Sequence, residues 1–126
     1  MEKHDEEILA RRLVPRPRRV TFFDGDEYRV EDGCRMRVEG PFHEDVSRIA
    51  KAQWGVSPEV VHTGACRDLA APESYSLSIT SDEVVICAPD RAGVRHAMAT
   101  LRQLAEVGRG GRTFSFYLLP RASISD

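Results

Sequence analysis

The chain has 126 residues, room for one domain, and its 41% hydrophobic and 30% charged content marks it as globular. A formal net charge of −2 gives no overall basic surface for nucleic acid. No apolar stretch approaches the ~20 residues of a membrane-spanning helix.

Residues 1–12 are expected to be a flexible N-terminal segment, opening on the acidic stretch Met1 to Ala10, which lacks the apolar core of a signal peptide. That fits a cytoplasmic chain or a secreted one whose signal has been removed. The domain itself is expected over 13–120. Pro15 and Pro17 in Leu13-Val14-Pro15-Arg16-Pro17 favour an extended entry. Val20 to Phe23 is β-branched and aromatic, hence a strand, and Asp24-Gly25 turns it back into Tyr28 to Val30. After Asp32-Gly33, Cys34, Met36 and Val38 alternate with Arg35, Arg37 and Glu39 as a half-buried strand.

Gly40-Pro41 opens a helix, with proline at a first position where its missing N–H costs nothing. Val46, Ile49, Ala50 and Trp54 form its apolar stripe, and Gly55 stops it. A short strand, Val60 to His62, precedes a loop from Thr63 to Glu73. In the next hairpin Tyr75, Leu77 and Ile79 alternate with Ser74, Ser76, Ser78 and Thr80, and Val84 to Ala88 returns. A face made of hydroxyls stays wet, so helices should cover only one side of the sheet. Asp90 caps a second helix carrying Val94, Ala97, Met98, Leu101, Leu104 and Ala105, which Gly108 ends. Phe114 to Leu119 reads as a last strand, apolar on both faces, and 121–126 as the start of a linker. These elements make an α+β domain, a mixed sheet with two helices packed on one face.

Cys34, Cys66 and Cys87 are odd in number, far apart and without a C-x-x-C pair, which suggests neither a disulfide framework nor a zinc site. They read as buried free thiols. His4, His43, His62 and His96 form no H-E-x-x-H pattern, since Ala97 and Thr100 stand where that motif needs Glu and His. Gly108, Gly110 and Gly111 follow a helix, whereas a phosphate cradle precedes one. Arg11, Arg12, Arg16, Arg18 and Arg19 form a basic run without interleaved aromatics, the pattern of a solvated segment or one pairing with another domain. Trp54 ends an apolar stripe and reads as core. No catalytic, cofactor-binding or metal-binding residue is expected, and no cofactor.

Three stretches carry a resemblance. Leu13 to Val20 followed by Asp24-Gly25, the strand Glu73-Ser74-Tyr75-Ser76-Leu77-Ser78-Ile79, and Ala88 to Val94 continuing to Ala99-Thr100-Leu101-Arg102-Gln103-Leu104 resemble the N-terminal domain of glycoside hydrolase family 20, the β-N-acetylhexosaminidases. That family's patterns are E-x-Y-x-L-x-I in the strand and G-x-x-x-A-x-x-T-L-x-Q-L in the helix. The resemblance implies a zincin-like fold and a non-catalytic accessory domain that supports a C-terminal catalytic barrel. The family's catalytic Asp-Glu pair belongs to the barrel and has no counterpart here. Related domains also precede barrels of families 84 and 67. An independent carbohydrate- or protein-binding module is the alternative.

One contact with the barrel is expected from the last strand. If Phe114, Phe116 and Leu118 point into the core, Tyr117 and Leu119 point away from it. An apolar pair on an outer face marks an interaction site. In the isolated chain the pair would be exposed or covered by a second copy.

Overall fold

The fold is that of a computed structural model, which describes residues 17–66, 71–107 and 117–126, the side chains of Glu106 and Val107 excepted. The expected N-terminal segment, the glycine-rich loop and Phe114 and Phe116 lie outside the described residues.

Period-two alternation builds a six-stranded sheet with one dry face. Its strands are β1 (Arg19–Phe22), β3 (Arg35–Glu39), β4 (Glu59–His62), β5 (Ser76–Ile79), β6 (Val84–Cys87) and β9 (Ala122–Ser125), in the spatial order β1-β9-β5-β6-β3-β4. β3 pairs in parallel with both β4 and β6, and the other neighbours are antiparallel. Register partners share a face, so Met36, Val38, Leu77, Ile79, Val84, Ile86, Ala122 and Ile124 line one side, all buried. Ser76, Ser78, Ser123, Ser125, Thr21, Arg35 and Arg37 line the other.

Two helices close the dry face. α1 (His43–Trp54) crosses from β3 to β4 and buries Val46, Ala50 and Trp54. α2 (Arg91–Leu104) follows β6 and buries Val94, Ala97, Met98, Leu101 and Leu104. These residues and the sheet's dry face form one apolar cluster. A parallel pair needs such a crossover, and the helix in it covers the sheet. A smaller antiparallel sheet, β2 (Tyr28–Val30), β8 (Tyr117–Leu119) and β7 (Glu106–Val107) in the order β2-β8-β7, extends the core at one end.

Several local expectations change. α1 starts at His43 rather than at Pro41, because Phe42 takes a left-handed conformation, φ 67°, as its N-cap. α2 ends at Leu104, where Ala105 turns extended and the chain enters β7. Residues 121–126 are not a linker here. β9 lies between β1 and β5, its Ala122 and Ile124 are buried, and Asp126 exchanges backbone hydrogen bonds with Tyr75 at 3.0 and 3.1 Å. The thiols are corrected too. Cys66 and Cys87 form a disulfide with Cα atoms 5.4 Å apart, tying the loop after β4 to the end of β6, and Cys34 alone is free.

Candidate functional site

The second helix is mounted on the sheet by a corner of polar contacts. Asp90 accepts the Gly93 N–H at 2.8 Å, as a cap does, and the Glu73 N–H at 2.9 Å. Those two bonds favour the charged form and hold the carboxyl below the usual range. Gly93 lets the helix approach the segment that leads into β5, since a Cβ there would collide with the Ser74 carbonyl oxygen. About two turns further along α2, the Tyr75 and Thr100 hydroxyls meet at 2.6 Å. Burial raises the Tyr75 phenol, so it stays protonated.

At the same end of the helix pair as Asp90, Asp45 in the first turn of α1 accepts from Arg48 at 3.0 Å and from Arg91, the first residue of α2, at 2.9 Å. The Arg48 hydrogen bond is the largest reason why the Asp45 carboxyl lies below its usual range. Arg91 also stacks over the Phe42 ring, 4.5 Å from its centroid. Phe42 is 40% exposed. Between the helices runs an open groove of about 290 Å³ lined by Arg48, Ile49, Gln53, Arg95, Ala99 and Arg102. The Gln53 amide donates to the Met98 carbonyl across it, at 3.2 Å.

The anticipated docking pair behaves differently from expectation. Leu119 is fully buried in this domain's own core, opposite Tyr28. Tyr117 is half-buried against the same cluster, opposite Val30. Leu118 takes the outer side, opposite Arg29. The phase of the strand is thus inverted, because β2 supplies the small sheet with an inner face of Tyr28 and Val30 that residues 117 and 119 complete.

Trp54 is core, 8% exposed. His43 and His62 stack with ring centroids 4.5 Å apart, while His96 lies exposed on α2. Arg18 and Arg19 are exposed. Among the described residues no group of three or more His, Cys, Asp or Glu could hold a metal ion. None of the described helices is long and apolar enough to cross a membrane. The groove arginines escaped sequence reading, although Arg91, Arg95 and Arg102 at i, i+4 and i+11 share one helix side and α2 contains no acidic residue.

Residues 10–126 match glycosyl hydrolase family 20, domain 2. The chain belongs to that family. It is the accessory domain alone, and the catalytic barrel is not in this sequence. The family 20 β-N-acetylhexosaminidase of Streptomyces coelicolor A3(2) is similar at 25% identity and TM-score 0.70, over 94% of this chain and 26% of that one. A β-N-acetylhexosaminidase of Bacteroides fragilis NCTC 9343 is similar at 20% identity and TM-score 0.68, over 90% and 24%. The chitobiase of Flavobacterium johnsoniae is similar at 23% identity and TM-score 0.63, over 100% and 21%. This chain therefore spans about a quarter of the length of these proteins. No curated protein matches it. The family 20 patterns are architectural in this chain. Glu73, Tyr75, Leu77 and Ile79 supply a backbone donor to Asp90, the partner of Thr100 and two core side chains. Gly93, Ala97, Thr100, Leu101 and Leu104 supply the close approach, the hydroxyl pair and the buried stripe.

Proposed function

We propose that this domain performs no hydrolysis itself and supports the catalytic barrel of a parent glycoside hydrolase of the β-N-acetylhexosaminidase type. The observation that carries the reading is the family match over residues 10–126, in a chain that covers 26% of its Streptomyces neighbour. The rest of such a protein has room for a (β/α)8 barrel of ~250 residues. The site chemistry agrees with a supporting role. The family patterns go into capping, close packing and core, and the two shifted carboxyls, Asp45 and Asp90, each answer to structural hydrogen bonds. A zincin-like origin of the fold belongs to the same proposal. What supports it is a mixed sheet with two helices on one face, and it carries no metal, since Ala97 and Thr100 replace the ligand motif.

The test compares two proteins on an aryl N-acetylglucosaminide. The parent protein should turn it over, and the 126-residue chain should not. Turnover by the isolated chain, lost on mutating one of its own residues, would refute the supporting role. Saturable binding of N-acetylglucosamine oligomers to the isolated chain, with no barrel in the parent protein, would favour a carbohydrate-binding module.

A further inference from the structure

We infer that this domain matures in an oxidising compartment outside the reducing cytosol, where a thiol–disulfide oxidoreductase joins Cys66 to Cys87 and leaves Cys34 as a thiol. The sequence alone fits a cytoplasmic chain or a secreted one, and the bridge separates the two.

The sheet sets up this pairing before any bond forms. β4 is an edge strand, and β3 and β6 lie between it and β5. The connection from β4 to β5 therefore has to pass the carboxyl ends of both. Over β3, the Gly40 N–H donates to the Gly64 carbonyl at 2.7 Å, and the Thr63 N–H donates to the Val38 carbonyl at 3.1 Å. On the other side of that strand end, the Ala88 N–H donates to the Glu39 carbonyl at 3.1 Å. The fit is close. A Cβ on Gly40 would collide with the Ala88 carbonyl oxygen and stand 3.4 Å from the Cys66 Cβ. Backbone hydrogen bonds thus hold Cys66 and Cys87 against the end of β3, with Cα atoms 5.4 Å apart, inside the span that a disulfide bridges. Two thiols held so near each other meet at a high effective concentration. Cys34 directly precedes β3 and so lies at the opposite end of that strand.

Burial favours a permanent bridge over a redox sensor. Cys87 is 5% exposed and sits in the ladder of β6, opposite Ser76 and Glu39. A sensing cysteine needs an accessible thiolate, and cytosolic disulfides are mostly transient ones of that kind. A metal–thiolate pair would need further ligands, and among the described residues no group of three or more His, Cys, Asp or Glu could hold an ion. Disulfide exchange supplies the bond. Cys66 is half-buried and outside any strand or helix, so its thiolate attacks the carrier's disulfide first and forms a mixed disulfide. The Cys87 thiolate then attacks the Cys66 sulfur, and the carrier leaves as its dithiol. The electron pair and both thiol protons pass from the chain to the carrier.

The experiment traps the thiols of the protein in its own cells with acid, alkylates them under denaturing conditions and locates the label by peptide mass spectrometry, with fractionation of the same cells. Cys34 alone should take the label, all three cysteines should take it after prior reduction with dithiothreitol, and the protein should lie in an extracytoplasmic fraction. A second readout makes the 126-residue chain in one bacterial host, with and without an added export signal. The exported copy should carry the bridge, and the cytosolic copy should keep its thiols. Label on Cys66 and Cys87 in the trapped cells would overturn the inference. So would a bridged protein in the cytosolic fraction, or a bridge formed equally in the copy without the export signal.

Discussion

Gly93 stands where a methyl group has no room, and the blocking atom is a backbone carbonyl that cannot swing aside. Gly93→Ala should therefore destabilise the domain by about 1–3 kcal/mol, despite alanine's better helix propensity, and denaturant unfolding will read it. The Cys66–Cys87 bridge closes a loop of 21 residues. Chain entropy gives such a bridge about 3 kcal/mol, so Cys66→Ala, or reduction, should lower the unfolding midpoint accordingly. Asp45 and Asp90 give a pH dependence of known sign. Both folded carboxyls lie below the model-peptide value of 3.8. Their contribution is complete above that value and is lost as the pH falls through the lower folded values. Stability measured between pH 5 and about 2 should decline, and Asp45→Asn with Asp90→Asn should flatten the curve over that window. Above pH 5 both carboxyls stay charged and their contribution is constant, so neither aspartate gives a slope of stability with pH in the alkaline range.

At the scale of elements, strong periodicity was the readable part. α2 was legible because its apolar residues recur at helical spacing and Asp90 caps it. Leu101, fully buried at the middle of that stripe, should cost about 2–5 kcal/mol on replacement by alanine, measured by the same unfolding assay. β5 was legible because hydroxyls and aliphatics alternate without a break. β9 was not. Ala122-Ser123-Ile124-Ser125 offers one large apolar residue, and its strand character comes from β1 and β5, which pair with it on both sides. The phase of β8 failed for a related reason. It was extrapolated from Phe114 and Phe116, while residues 117–119 answer to Tyr28 and Val30 of β2. The disulfide joins residues in separate elements, and spacing along the chain carries no record of that approach. Of the groove between the helices, only the arginine spacing in α2 was present in the sequence. The groove needs α1 beside α2, which is a tertiary fact.

On the scale of the whole molecule, the two sides of the domain are chemically unlike, and one core lies between them. The sheet presents serines and arginines held by Glu83, and the helices present Arg48 and Arg91 held by Asp45 beside Arg95 and Arg102, for which no ion pair is seen among the described residues. Because Leu119 belongs to that core, Leu119→Ala should cost about 2–5 kcal/mol in the isolated chain and an equal amount in the parent protein, by chemical denaturation of each. A larger loss in the parent would return this residue to an interdomain role. The position of β9 has a further consequence, for synthesis. Ribosomes release a chain from its N-terminus, so β1 emerges about a hundred residues before β9, its one partner among the described residues. Until Ser125 has cleared the exit tunnel, β1 and β5 both lack the strand β9 that pairs with them. This domain should therefore fold late in its own translation, and a nascent chain stalled after Pro120 should be cut by protease where one stalled well past Asp126 resists.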